Sequence, residues 1–211
     1  MRKLLLIPAA AAVAVLTAFA AVPASADTTD VLTAGGNNVV AGSPGDTVTG
    51  SSTSAVLSTS AGSITCTQAA FTSNVQSNPA APGTATEQVT SLSATASTCK
   101  STIAGTTSVQ SVGLTSGNTP IASVDDSSLT LTITPSVTVV LGTVLGRVTC
   151  IYSGTLVAQV VNSSNAIVFS DATVTRQTGS STVCPTTGGY TATYSPVEDT
   201  SMTGDPAVTV N

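Results

Sequence analysis

The chain contains no histidine and no tryptophan, and it has five Lys and Arg residues against ten Asp and Glu residues. Without histidine, Ser–His and Cys–His nucleophile pairs are excluded, and the commonest general base is missing. The four cysteines are far apart in sequence, so they match neither a thiolate zinc site nor a Cys-x-x-Cys redox motif. These absences predict a protein that is not an enzyme, with no catalytic residues, no metal site and no cofactor.

The first 26 residues have the pattern of a secretory signal peptide. Arg2 and Lys3 precede an uncharged apolar run from Leu4 to Ala21, and the small residues Ala24-Ser25-Ala26 follow. This pattern predicts a helical leader, residues 1–26, whose cleavage gives a secreted, extracellular protein. An uncleaved membrane anchor is the alternative, since an apolar run of about 18 residues is just long enough to cross a bilayer.

Cleavage of this leader would remove two of the five cations. The mature chain then carries three side-chain cations against ten carboxylates, a balance of −7. Such a charge opposes binding to nucleic acid and to anionic membranes, because both depend on Lys and Arg. We therefore expect no nucleic-acid partner and no membrane association after cleavage. The expected partner is a cell-wall component or another extracellular protein or carbohydrate.

Composition and alternation both predict β-structure. Valine and threonine, which favour strands, recur throughout, whereas the helix-favouring Lys, Arg and Met are scarce. Apolar and polar residues alternate strictly over Leu129–Thr134. Short strands of this kind predict an all-β fold, an antiparallel β-sandwich of Greek-key or immunoglobulin-like type. Residues 27–60 are rich in Gly, Ser, Thr and Asn and predict a partly ordered segment, so the sandwich domain is expected to span residues 61–211.

The four cysteines of an exported chain predict two disulfides. Three pairings are possible. Cys66 and Cys99 are separated by 33 residues, and Cys150 and Cys184 by 34 residues. These matched spacings favour the pairs Cys66–Cys99 and Cys150–Cys184.

Several residues could have either a functional or a purely structural role. We interpret the acidic pairs Asp125-Asp126 and Glu198-Asp199 as solvated turns, with a calcium site or a glycosidase-type acid/base pair as alternatives. Tyr152, Tyr190 and Tyr194 are interpreted as core or tyrosine-corner residues rather than as a platform for sugars. The stretch Asn162-Ser163-Ser164 fits the glycosylation sequon.

A resemblance to known proteins supports the predicted export, disulfides and fold. The leader, the stretch from Val148 to Gly154 (VTCIYSG), Cys184-Pro185 and the stretch from Tyr190 to Tyr194 (YTATY) together resemble small secreted proteins of actinobacteria. The resemblance covers most of the mature chain and implies export, paired cysteines and a β-sandwich. It implies no catalytic or binding residue.

The sequence therefore predicts a secreted non-catalytic protein, a cell-surface or extracellular module with a structural or binding role. The alternative is a small carboxylate-dependent hydrolase, or a proteinase inhibitor whose exposed loop would be Val183-Cys184-Pro185. The sequence assigns no ligand-binding residue.

Overall fold

The computed structural model describes residues 29–211, and the predicted signal peptide, residues 1–26, lies outside this range. The described residues are mainly β-structure, with two single-turn 3-10 helices at Ala96–Thr98 and Asn162–Ser164. The strands are β1 (Leu32–Ala34), β2 (Asn37–Asn38), β3 (Thr47–Ser52), β4 (Ala55–Thr59), β5 (Gly62–Cys66), β6 (Ala69–Ser77), β7 (Thr84–Ala94), β8 (Cys99–Ser101), β9 (Thr106–Leu114), β10 (Ile121–Asp125), β11 (Thr130–Ile133), β12 (Ser136–Thr143), β13 (Gly146–Ser153), β14 (Leu156–Val161), β15 (Ala166–Arg176), β16 (Thr187–Tyr194), β17 (Val197–Asp199) and β18 (Val208–Val210). The predicted all-β, antiparallel fold is confirmed.

Strands β3 to β17 form one continuous antiparallel sheet of 15 strands. Its two longest strands, β7 and β15, each change partner along one edge. The first half of β7 pairs with β10, and its last two residues pair with β9. In the same way, β15 pairs first with β14 and then, near its end, with β13. Strands that switch partners in this way form the corners of a sandwich.

Two groups of strands therefore connect β7 to β15. The β10 group consists of β10, β11 and β14, and the β9 group consists of β9, β12 and β13. The two groups separate where the chain turns between β9 and β10, between β11 and β12, and between β13 and β14. Pro135 lies at the second of these points and, having no N–H, continues neither ladder. The pairings thus close a ring of eight strands around the core.

Two wings extend from the ring and face each other across the core. Strands β6, β3 and β17 continue from the free edge of β7, and β16, β4, β5 and β8 continue from β15. Phe71 of β6 contacts Tyr194 of β16 edge to face, with ring centroids 5.3 Å apart. Along the strands, buried and accessible residues alternate, as in β11, where Leu131 and Ile133 are buried.

Strands β18, β1 and β2 form a separate three-stranded sheet from the two ends of the described chain. The side chain of Asn78 holds β1, since it accepts a hydrogen bond from the N–H of Leu32 (2.8 Å) and donates one to its carbonyl (2.9 Å). The side chain of Asn162 holds β18 through the N–H and the carbonyl of Val210. Two asparagine amides thus fix both terminal strands to the main sheet.

Residues 29–60 are integrated into the fold, which differs from the predicted division at residue 60. They form β1 to β4, and β3 and β4 belong to opposite wings of the large sheet. Short apolar anchors such as Val31, Val39 and Val48 are almost completely buried and explain this integration.

Both pairs of cysteines favoured by their spacing are bonded in the structure. Cys66–Cys99 joins the neighbouring strands β5 and β8, and Cys150–Cys184 joins β13 to the loop before β16. No free cysteine remains among the described residues. Two intact disulfides indicate an oxidising environment.

Candidate functional site

Asp125 ends β10 and binds the turn that follows, whereas Asp126 is buried and so departs from the predicted solvated turn. Asp125 Oδ1 accepts hydrogen bonds from the Ser127 hydroxyl (2.7 Å) and the Ser128 N–H (2.9 Å), and these bonds lower the pKa of the exposed Asp125 carboxyl. The buried Asp126 accepts a hydrogen bond from the N–H of Gly83 (3.0 Å). The two carboxylates therefore hold different backbone segments and do not face a common cleft.

The pair Glu198-Asp199 does not form the predicted solvated turn. Both residues lie in strand β17, which pairs with β3, and Asp199 is completely buried. Val197 and Asp199 point to the same buried face, because side chains alternate along a strand. Burial, and then the nearby Asp46 carboxyl, raise the pKa of Asp199, although a hydrogen bond from the N–H of Ser201 opposes the shift.

The three tyrosines belong to the core, as interpreted from the sequence. Tyr152 and Tyr194 are buried, and Tyr190 is half-buried. The hydroxyls of Tyr190 and Tyr194 are hydrogen-bonded to each other at 2.6 Å, and burial raises the pKa of both. The hydroxyl of Tyr152 donates to the carbonyl of Pro185 at 3.1 Å. These contacts use the polar ends of the rings inside the molecule, so the rings do not form an open stacking surface.

Three small cavities follow one another through the core, with volumes of about 90, 40 and 20 Å³. The first two share Pro135, Leu156 and the tyrosine pair, and the third reaches β1 and β18. Binding pockets for drug-sized ligands usually measure roughly 300–1,000 Å³. We therefore interpret the three cavities as gaps in an apolar core, located where the β9 and β10 groups separate.

Glu87 is a buried acid that the sequence reading missed. Its side chain is 5% exposed and borders the second and third cavities. The hydroxyl of Ser73 donates a hydrogen bond to Glu87 Oε2 at 2.6 Å, but desolvation dominates and raises the pKa of Glu87. Alternation in β7 offered a signal, since Ala85, Glu87 and Val89 share one face and the two flanking residues are apolar.

The predicted inhibitor loop, Val183-Cys184-Pro185, forms part of a turn, and of these three residues only Val183 is exposed. Val183 is 72% exposed, while Cys184 is buried and bonded to Cys150. The N–H of Cys184 donates to the carbonyl of Ser181 (3.1 Å) and closes the turn. The guanidinium of Arg176 donates to the carbonyls on both sides of Val183, at 3.0 and 2.7 Å. A segment recognised by strand addition must be extended, so this loop lacks the conformation needed for that mode of binding.

The sequon asparagine has a structural role. Asn162 Nδ2 donates to the carbonyl of Val210 at 2.6 Å, and Asn162 Oδ1 accepts from the N–H of the same residue at 3.0 Å. A glycan on Nδ2 would remove the first bond and would have to pass the last strand. The folded protein therefore uses this side chain to hold β18.

An exposed polar surface lies on β15 and β16. Five exposed threonines lie along these two paired strands, and Thr175 of β15 is directly opposite Thr187 of β16. The other three are Thr173 of β15 and Thr191 and Thr193 of β16. We name these five residues the hydroxyl face. Hydroxyl groups both donate and accept hydrogen bonds, which suits a surface that contacts a polyhydroxylated polymer.

The comparisons with known proteins give no relative. No protein-family model, no curated protein and no solved structure matches the chain. Within residues 29–211, no helix has the length and apolar character needed to cross a membrane.

Proposed function

We propose that the chain is a secreted, non-catalytic protein with a structural or binding role at the cell surface or in the extracellular matrix. The observation that carries this proposal is that several of its charged side chains bind the protein's own backbone or are buried. Asp125, Asp126 and Arg176 bind the backbone of turns, and Glu87 and Asp199 are buried. Side chains in these positions stabilise the fold and are not available to bind a substrate.

The compartment and the partner follow from other features. Two disulfides, the predicted leader and the net negative charge support a function outside the cell, where thiols are oxidised. The hydroxyl face supports a carbohydrate-rich partner such as the cell wall, since it offers several hydroxyl groups around the Asp171 carboxylate, which lies against Gly189 of β16. No specific contact favours the hydrolase or the inhibitor over this function.

Co-sedimentation with cell walls of the producing organism tests the proposal. We expect oxidised residues 27–211 to sediment with the walls, and Thr175→Asp to weaken this binding by adding charge to the hydroxyl face. Thr90→Asp is the matched control. Both threonines are exposed on strands, and both hydroxyls donate to a carbonyl of a neighbouring strand at 3.2 Å.

An activity assay on the same preparation tests the alternative. Peptide, ester and glycoside substrates should not be converted faster than in buffer. Robust turnover that is lost in Asp46→Asn but retained in Asp125→Asn would contradict the proposal, because it would assign catalysis to a specific carboxylate.

A further inference from the structure

Two carboxyl groups meet between strands β3 and β17. Asp46 directly precedes β3, and Asp199 ends β17, where it pairs with Val48 of β3. Asp199 is completely buried, whereas Asp46 is partly exposed. The carboxyl of Asp46 lies within hydrogen-bonding reach of the carboxyl of Asp199. The pair is therefore closed on the side of β17 and open to solvent on the side of Asp46.

One oxygen of this pair has no hydrogen-bond donor. Asp199 Oδ1 accepts from the N–H of Ser201 at 2.9 Å, and Asp46 Oδ2 accepts from the N–H of Val40 at 2.7 Å. Asp199 Oδ2 accepts nothing, and it is the one buried side-chain nitrogen or oxygen without a partner among residues 29–211. Buried polar atoms are nearly always satisfied, so this oxygen calls for a cation or a proton between it and the Asp46 carboxyl.

The charge of the pair is not balanced by the protein. The three cations of the described chain, Lys100, Arg147 and Arg176, lie in β8, β13 and β15, and none of them acts on Asp199. Two ionised carboxylates in contact and shielded from water repel each other unless a positive charge or a proton lies between them.

The loop that follows Asp199 brings further oxygen atoms. Residues 199–205 read DTSMTGD, so Asp199, Ser201 and Thr203 occupy alternate positions and Gly204 follows with a φ of +87°. Oxygen-bearing residues at positions 1, 3 and 5 and a glycine at position 6 match the first half of the EF-hand calcium loop, whereas position 12, a bidentate Glu in that loop, is Val210 here. The hydroxyl of Ser201 accepts from the N–H of Thr47 at 2.7 Å, which places it beside the residue after Asp46.

We propose that Asp46 and Asp199 bind a calcium ion between β3 and the start of the 199–205 loop. Oxygen ligands of mixed type are what Ca²⁺ prefers, and the ion would bridge the two carboxylates and satisfy Asp199 Oδ2. No third acidic side chain of the described residues completes the cluster. We therefore expect weak binding, with a Kd of about 10⁻⁴–10⁻³ M, the range of extracellular calcium modules. The ion would fasten the segment before β18 to the large sheet.

Calcium titration of the chelator-treated, oxidised protein tests this proposal. At about 10 mM Ca²⁺ and a Kd of about 1 mM, the thermal midpoint should rise by about 3–6 °C, and calorimetry should show one site. The same concentration of Mg²⁺ controls for ionic strength and should have a smaller effect, since Mg²⁺ demands a stricter geometry.

Variants locate the site. Asp46→Asn and Asp199→Asn should each abolish the calcium-dependent shift, and Asp125→Asn should retain it, because that exposed carboxylate binds only its own turn. Without calcium, Asp199→Asn should be at least as stable as the native protein, since an amide can donate to Asp46. If Asp199→Asn does not fold, the partly exposed Asp46→Asn carries the test.

Two results would overturn the proposal. An equal calcium shift in the native protein and in Asp46→Asn would place binding elsewhere. No calcium shift, together with stabilisation on acidification that disappears in Asp46→Asn, would show that the pair shares a proton instead of a metal ion.

Discussion

At the residue scale, the interior is stabilised by a few polar pairs within an apolar core. The hydrogen bond between the hydroxyls of Tyr190 and Tyr194 is one of them. Removing one partner leaves the other hydroxyl buried and unsatisfied, which costs about 1–3 kcal/mol, whereas replacing both is close to neutral. Burial raises the pKa of both hydroxyls, so both lie in a desolvated environment.

We therefore predict that Tyr190→Phe and Tyr194→Phe each destabilise the protein, and that the double variant costs less than the sum of the two. Chemical denaturation of the disulfide-intact proteins measures the free energy of unfolding for this cycle. Additive effects would show that the two hydroxyls do not depend on each other.

The second residue-scale prediction concerns pH. Burial raises the pKa of Glu87 above its ordinary value of 4.5. Its contribution to stability is full below that value and is lost as the pH rises through the raised pKa. Glu87→Gln keeps an acceptor for Ser73 but does not ionise. The thermal midpoint of this variant, measured relative to that of the native protein, should therefore increase as the pH rises from about 4 to about 8.

Asp125→Asn provides the opposite control for this pH series. Hydrogen bonds lower the pKa of Asp125, so its contribution is present above the ordinary pKa and is lost as the pH falls. The stability that Asp125→Asn loses relative to the native protein should therefore be largest at neutral pH. A constant difference between native protein and Glu87→Gln at every pH would contradict the burial argument.

The residues at these sites show what the sequence supports at this scale. The tyrosines and the cysteine pairs follow from type and spacing. Glu87 was missed and Asp199 was wrongly interpreted as part of a solvated turn, because acidic residues are rarely buried. Both residues nevertheless lie on the same strand face as a buried valine. The alternation of side chains along a strand shows which residues point inward. The residues that surround a buried carboxyl group are distant in sequence, however, and can be identified only from the fold.

At the element scale, the fold depends on strands that change partner. The Leu129–Thr134 pattern contains β11, in which buried and accessible residues alternate as predicted. A break at Ser153-Gly154 separates β13 from β14, and a turn-forming dipeptide at such a place usually joins strands that pair with each other. Instead, β13 and β14 both pair with β15 and do not pair with each other. Alternation predicts a strand and its faces, but partner choice depends on long-range pairing.

Gly154 marks this break and gives an element-scale prediction. A Cβ at this position would lie 2.4 Å from the carbonyl oxygen of Thr173 on β15, so the backbone of β15 would have to move. Gly154→Ala should lower the free energy of unfolding by about 1–3 kcal/mol, the usual cost of overpacking. Thermal and chemical denaturation measure it.

Gly113→Ala is the matched control for that substitution. Its Cβ would meet the carbonyl oxygen of Leu92 at 3.5 Å, an ordinary contact, and the position lies in strand β9. The control should stay within about 0.5 kcal/mol of the native protein. Equal effects of the two substitutions would show that loss of glycine, rather than the approach of β15, sets the cost.

At the scale of the whole molecule, the chain is held at both ends and at two covalent links. Asn78 and Asn162 hold the terminal strands, and each disulfide closes a loop of 33 or 34 residues. A loop of that length stabilises by about 4 kcal/mol in the chain-entropy account, whose mechanism is model-dependent. Two disulfides and two anchored terminal strands suit a protein that works outside the cell, where the environment is oxidising and disulfides persist.

The central claim is that the chain acts as an exported, disulfide-linked module, and intact-mass spectrometry of the native protein tests it most directly. We expect the culture medium or the washed cell wall of the producer to contain residues 27–211 with a mass four hydrogens below that of the reduced chain, since two disulfides remove four. A protein that stays inside the cell, keeps residues 1–26 or carries four free thiols would contradict the claim.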